Sequence, residues 1–183
     1  MNVTLDACVL YPAPIRDLLL NLADLNLFRP KWSEKIHEEW ISNLLRNRTD
    51  LHRSQLERTM KLMEEAFPDA NVKRFEKIIQ PLSLPDEKDR HILAVAIKSK
   101  SEFIVTFNLK DFPNELLLPF NVEAIHPDEF VCNLLDLKEM MVNLAFNNHL
   151  NSLRNPPTSK KELLATLKML GMIKSTQRIN SSN

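Results

Sequence analysis

The sequence predicts an α/β fold with a central parallel sheet, followed by a helical C-terminal extension. Short apolar runs, Val3-Thr4-Leu5 and Phe103-Ile104-Val105-Thr106, read as buried strands. Longer segments between them repeat apolar residues at three- and four-residue steps, as helices packed on a sheet do. Asp6 closes the first run and Asp111 follows the second, so both acids lie toward the strand ends that face the ligand crevice of open α/β sheets.

Each element has its own local reason. Residues 14–27 carry Ile15, Leu18, Leu19, Leu22 and Leu25 at helical spacing after a proline suited to a first turn, giving a strand-to-helix unit. Phe28-Arg29-Pro30 reads as a second strand or an extended piece. Ser33 then caps a helix with Ile36, Trp40, Ile41, Leu44 and Leu45 on one face and Glu39 within it. Residues 51–67 form a further helix that packs on the side or acts as a lid, stopped by Pro68-Asp69. One or two helical turns over 75–80 lead into Pro81-Leu82-Ser83-Leu84-Pro85, where the prolines force an extended path to Asp86. A helix with Ile92, Leu93, Ala96 and Ile97 follows, then strands over 102–106 and 122–125.

From Pro127 onward the pattern is helical. Helices are expected over 128–153 and 159–170, split by Asn155-Pro156-Pro157, with Thr158 or Ser159 as cap and Gly171 at the stop. Met140, Met141, Leu144, Met169 and Met172 read as core in preference to an adaptable partner surface. The Ser- and Asn-rich stretch 175–183 has little to bury and reads as disordered or partner-dependent. The expected organisation is an α/β domain over 1–127, an extension over 128–174 and a tail over 175–183.

Composition narrows the function. The 44% apolar and 26% charged residues suit a globular protein, and no apolar run reaches the roughly 20 residues of a membrane helix, so a cytoplasmic protein without membrane contact is expected. Asp6 interrupts any signal-peptide pattern at the N-terminus. A single glycine excludes Gly-rich phosphate loops and makes a nucleotide cofactor unlooked-for. Cys8 and Cys132, far apart, support neither a zinc site nor a disulfide framework and read as small packed residues. With net charge zero, a polyanion would have to be held by local Lys and Arg and by metal.

The candidate chemistry rests on acids. A carboxylate at the end of a buried strand, as at Asp6, is costly unless it meets a cation or is fully hydrogen-bonded, though Asp also serves in plain turns. Asp86 and Asp89 open a helix as Asp-x-x-Asp, which reads either as capping alone or as a cap at Asp86 with Asp89, on the same face, pointing at the site. Glu38 and Glu39 lie side by side in a charged helix, where solvated acids are the norm and spacing does not choose between them. Thr106 and Asn108 either support the acids or cap a turn, and Asp111 alternatively caps the short helix after Pro113.

Four segments together carry a resemblance: Leu5-Asp6-Ala7-Cys8-Val9-Leu10, Trp32-Ser33-Glu34-Lys35-Ile36-His37-Glu38-Glu39-Trp40, Leu84-Pro85-Asp86-Glu87-Lys88-Asp89-Arg90-His91-Ile92-Leu93-Ala94, and Val105-Thr106-Phe107-Asn108-Leu109-Lys110-Asp111-Phe112-Pro113. In order and spacing they resemble the PIN-domain ribonucleases, of the kind found as VapC-type toxins of bacterial toxin–antitoxin pairs, in a subgroup with a helical extension. The resemblance covers residues 2 to about 130. It implies a three-layer α/β/α domain in which Asp6, Glu39, Asp89 and Asp111 are catalytic and hold one or two Mg²⁺ or Mn²⁺, with Asp86, Thr106 and Asn108 in support and Glu38 as a substitute for Glu39. The chain departs from the family at Cys8, where many members have Asn, and at Asn108, where many have a fourth Asp.

The resemblance further implies hydrolysis of RNA leaving a 5′-phosphate, a cognate antitoxin as partner, and homodimers, in which members commonly occur. Lys88, Arg90, His91 and Lys110 flank the acids as candidates for contacts to the RNA backbone, or as solvated helix charges. Two rival readings stand beside the nuclease. One is a catalytically weak or inactive RNA- or antitoxin-binding protein, suggested by Asn108. The other is a Mg²⁺-dependent phosphatase or phosphoacceptor with Asp6 as nucleophile and Lys110 beside it.

Overall fold

The computed structural model describes residues 1–181. The chain runs through β1 (Asn2–Leu5), α1 (Ala7–Leu10), α2 (Ala13–Asp24), β2 (Arg29–Lys31), α3 (Glu34–Asn47), α4 (Arg53–Ala66) and α5 (Glu76–Ile79). It continues through α6 (Arg90–Ser99), β3 (Phe103–Val105), α7 (Asn114–Leu117), β4 (Glu123–Ile125), α8 (Pro127–Ser152), α9 (Lys160–Met169) and α10 (Ile173–Ser181). Single 3₁₀ turns at Glu87–Asp89 and Leu109–Asp111 stand just before α6 and just after β3.

All four strands are parallel, in the order β2-β1-β3-β4. Because β1 has β2 on one side and β3 on the other, the chain leaves it in opposite directions, and a switch point opens at its carboxyl end. Leu5 pairs with Val105, so the next residues, Asp6 and Thr106, emerge side by side. Val3, Thr4 and Leu5 are all fully buried, which for alternating side chains means that both faces of β1 are covered. Helix α6 packs on β1, β2 and β3 through a face that includes Ile92, Leu93 and Ala96. The fold class is thus α/β, as the strand and helix periodicities require.

The chain divides into two compact units, one of residues 1–11 and 29–125, the other of residues 12–28 with the chain from His126 onward. This division differs from the contiguous domain expected over 1–127 in placing residues 12–28 with the C-terminal helices. Helix α2 buries Ile15, Leu18, Leu19 and Leu22 and packs with α8 and α9, so it belongs with the C-terminal helices although it follows β1 in sequence. In the same unit Phe28 and Phe130 meet edge to face with centroids 5.1 Å apart.

Two further expectations are overturned in the extension. Met140 and Met169 are 84% and 82% exposed and Leu144 is also exposed, leaving Met172 as the fully buried methionine of that set. Helix α8 breaks at Lys138, whose φ of −151° and ψ of 56° leave the helical region. Val142, Ala145, Phe146 and His149 turn inward and continue, at helical steps, the buried stripe of Val131, Leu134 and Leu135, so Met140 and Leu144 fall on the opposite, exposed face. Nor is the polar tail unstructured, since residues up to Ser181 form α10; the last two positions of that stretch lie outside the described residues. Asp128 is the reason: its carboxylate accepts hydrogen bonds from the backbone amides of Lys174 and Ser175, each at 2.9 Å, and from the Ser175 hydroxyl at 2.6 Å. Among the described residues no helix is long and apolar enough to cross a membrane.

Candidate active site

Asp6 leaves β1 as a 5% exposed carboxylate whose Oδ2 accepts from the Thr106 hydroxyl at 2.6 Å and the Cys8 thiol at 3.0 Å. Thr106 in turn accepts the Asn108 amide at 3.0 Å, and Cys8 Sγ the Phe107 amide at 3.3 Å. The strand-end loop after β3 is therefore strapped to the loop after β1 through the acid. Burial raises the Asp6 pKa, the bonds from Thr106 and Cys8 pull it down, and the charge of Glu39 pushes it up again. Cys8, read from sequence as a packing residue, is in fact a donor to this carboxylate. Burial and the neighbouring Asp6 charge keep its thiol protonated.

Helix α3 delivers the glutamate. Its start is capped by Ser33, which accepts from the Ile36 amide. Its position is fixed by a buried chain in which Trp40 Nε1 donates to His37 Nδ1 at 3.0 Å, His37 Nε2 meets Glu64 Oε1 at 3.0 Å, and Trp32 Nε1 donates to the same oxygen at 2.7 Å. Since Trp40 donates to Nδ1, His37 is neutral with its proton on Nε2, a state that burial also favours by lowering its pKa.

On this helix the two adjacent glutamates part company. Glu38 is exposed and grips Arg53 at 2.8 and 3.0 Å and Ser42 at 2.6 Å, bonds that hold its carboxyl down at about 2. Glu39 faces the crevice, where its charge is felt by both Asp6 and Asp89. One of its oxygens lies 2.8 Å from Nε2 of His91, an imidazole with no exposed surface. That imidazole cannot meet an RNA backbone, contrary to the expectation for His91. It lies on the inner face of α6 between the crevice and the core.

The third and fourth acids come from the two 3₁₀ turns. Asp86 caps the first turn, accepting the Lys88 amide at 2.9 Å. Asp89 sits at the start of α6 with no capping bond of its own, which leaves its carboxylate to the crevice. Burial pushes that carboxyl up to about 7, joined by the charges of Asp6, Asp86, Asp111 and Glu39. Asp6, Asp86, Asp111 and Glu39 thus all lie within electrostatic reach of Asp89. Asp111, half-buried, ends the second turn, while Asn108 is exposed and engages the loop through its backbone amide.

This donor set is made of hard carboxylate oxygens, the kind that Mg²⁺ and Mn²⁺ prefer. Among the described residues no three of these side chains converge into a chelating group as they stand. Two carboxylates about 4 Å apart oppose each other by roughly 4 kcal/mol at an effective dielectric near 20, so bringing these acids together calls for a cation. A divalent cation fits the chemistry of the crevice and would draw them together.

The family model for the PIN domain matches residues 2–110, more than half of the chain and all of the acids but Asp111. The chain belongs to the PIN domain family. The model for the VapC50 C-terminal domain matches residues 127–181, the extension beginning at α8. A curated relative from Mycobacterium tuberculosis, named "Putative ribonuclease VapC50", is 40% identical over 80 residues, 44% of this chain. That match spans about half, 47%, of the relative's own length. No solved structure matches the chain.

The cations around the PIN-domain crevice differ in availability. Arg90 is tied back to Glu87, its Nε donating to the carbonyl and its Nη2 to the carboxylate, both at 3.1 Å. Lys88 and Lys110 are exposed, and neither forms an ion pair among the described residues. Cys8, His37 and His91 are the members of the site that sequence reasoning undervalued. The signal that could have found them is proximity: each lies within two residues of an acid of the set.

Proposed function

We propose that this PIN domain is a divalent-metal-dependent endoribonuclease and the toxin of a toxin–antitoxin pair, acting in the cytoplasm. The observation that carries the reading is the gathering of Asp6, Asp86, Asp111 and Glu39 around half-buried Asp89, whose carboxyl is pushed up to about 7 first by burial and then by these charges. So much negative charge at the carboxyl edge of a parallel sheet costs stability unless it holds a cation. The 40% identity to a relative named a ribonuclease supports the same reading.

In this mechanism Asp6, Glu39, Asp89 and Asp111 would hold one or two Mg²⁺ or Mn²⁺. The metal, when bound, supplies a water of lowered pKa and neutralises charge on the phosphate. The protein supplies the rest. Thr106 and Cys8 fix Asp6 Oδ2 and so aim the carboxylate. The attacking water, its pKa lowered, gives its proton to solvent water. Lys88 and Lys110 contact backbone phosphates on either side of the scissile bond and position the strand without reading its sequence. Water attacks phosphorus as the P–O3′ bond breaks, and the departing 3′ oxygen takes a proton from solvent water, leaving a 5′-phosphate and a 3′-hydroxyl.

The test is cleavage of total cellular RNA by wild type and Asp6→Ala with Mg²⁺, Mn²⁺ or EDTA, reading fragment 5′ ends. Discrete metal-dependent fragments with 5′-phosphates, lost in the variant, are the expected result; full activity in Asp6→Ala overturns the assignment. The exposed Asn108, with no carboxylate at that position, favours one second reading, an RNA- or antitoxin-binding protein without catalysis. A wild type that binds RNA yet cleaves it at no metal concentration would select that reading.

A further inference from the structure

We propose that His91 is the positioning residue for Glu39, fixing the one acid of the crevice that arrives on a separate long helix. The inference rests on the nuclease reading of the crevice. Glu39 comes from α3, while Asp89 and His91 occupy the first turn of α6 and its cap. The charge of Glu39 pushes up the carboxyls of both Asp6 and Asp89, so these like charges oppose its approach. Among the described residues, the group within ion-pair distance of its carboxylate is His91 Nε2, at 2.8 Å. The imidazole therefore opposes the outward push on Glu39 and links α3 to the turn that carries Asp89.

Tautomer chemistry gives the contact its sign. A proton on Nδ1 would leave the Nε2 lone pair facing a carboxylate oxygen, which is repulsive; a proton on Nε2 points its positive end at that oxygen. The N–H direction is not yet that of an aligned hydrogen bond, since neither ring nitrogen of His91 counts as hydrogen-bonded, so the contact is electrostatic and a small carboxylate rotation completes it. Nδ1 has no partner at all in a fully buried setting. An apolar side chain of similar size would pack there without an orphan nitrogen, so packing alone does not account for an imidazole. Its Nε2 contact does. Because the ring is buried, His91 touches neither RNA nor solvent, and it acts only through Glu39. Partners of this kind behind a metal-holding side chain are typically worth about 10- to 100-fold in metal affinity or activity.

The experiment compares His91→Leu, His91→Gln and His91→Asn in the full chain by Mn²⁺ titration calorimetry, by kcat and KM on RNA, and by thermal melting. The Gln amide nitrogen reaches about as far as Nε2, the Asn nitrogen only as far as Nδ1, and Leu fills the volume without a donor. Leu and Asn should weaken Mn²⁺ binding roughly tenfold or more and lower kcat with little change in KM, while Gln restores most of both. Equal losses in all three, or a Leu variant that binds Mn²⁺ and turns over like wild type, overturn the proposal. If Leu fails to fold, the contrast between Gln and Asn decides in the same way. A wild type that neither binds Mn²⁺ nor cleaves RNA instead overturns the nuclease reading, and this inference with it.

Discussion

Glu38 and Glu39 are neighbours in sequence but roughly 100° apart around α3, and that rotation separates a surface ion pair from a crevice acid. Sequence spacing left the two open, because both sit in a charged helix and nothing local says which side carries the core. The structure decides through Trp40 and Ile41, buried on the inner side, and through Arg53, which occupies Glu38 from α4. Glu39→Gln should therefore cut RNA cleavage by about 100-fold or more, equivalent to roughly 2.7 kcal/mol of barrier. Glu38→Gln should leave cleavage within about twofold and cost under ~1 kcal/mol of stability, since its pair with Arg53 is exposed and solvent-screened. Side-by-side kinetics and urea melts of the two variants check this, and the reverse order of activity would refute the assignment of Glu39. Cys8 shows the opposite limit. Its role depends on Asp6 and Thr106 meeting across paired strands, a juxtaposition about 100 residues apart in sequence that a local reading of one thiol does not supply.

At the scale of elements, helix periodicity and caps were legible and anchoring was not. Ser33 and Ser159 cap α3 and α9 as their positions require, and the helix ends fall within a few residues of the expected ones. The break at Lys138 was hidden because the buried stripe continues across it at helical spacing, from Val131, Leu134 and Leu135 to Val142, Ala145 and His149, and only the backbone reveals it. The tail misled for a related reason. Ser175 and Thr176 look like linker residues, yet they are buried, with Ser175 bound to Asp128 and Thr176 to the Met172 carbonyl. Asp128 thus acts as an N-terminal cap for α10 supplied from α8, reinforced by Arg178 reaching Asp136 at 2.8 Å and Ile179 packed inside. Asp128→Ala would leave two backbone amides and a hydroxyl without their acceptor, a loss of about 2 kcal/mol. Faster hydrogen exchange at Lys174 and Ser175, with the amides of β1 unchanged, is the expected signature. Unchanged exchange at α10 would show that the helix is held by Ile179 and Arg178 without the cap.

For the whole molecule, 24 basic and 24 acidic residues cancel, so the functional charge is invisible in the total and exists only as local concentration. The positions of the acids after strands and at helix starts were readable, but the consequence of bringing them together is a property of the fold. It sets the pH behaviour. Asp6 and Asp89 bind their protons more tightly folded than unfolded, Asp89 at about 7 against an ordinary 3.8. Below about 4 both states are protonated and nothing differs; as pH rises toward 7 the unfolded chain releases these protons first, so their contribution turns against the fold. Buried His37 and His149 work the other way, since burial lowers their pKa from the ordinary 6.5 and the unfolded chain takes up protons as pH falls below that value. The metal-free protein should therefore be destabilised on both sides of a weakly acidic optimum. Only the carboxylate limb answers to a divalent cation, which gains charge to bind as Asp89 ionises and competes with its proton. Saturating Mn²⁺ should raise Tm by roughly 5 °C or more at a pH of about 8 and by little at a pH of about 5.5, from the affinity gained through mass action. Melting curves at the two pH values, with and without Mn²⁺, test this, and the Asp89→Asn variant should flatten the difference. An equal Mn²⁺ shift at both pH values would mean that the cation binds elsewhere and that the crowding of these acids serves some end other than holding a metal.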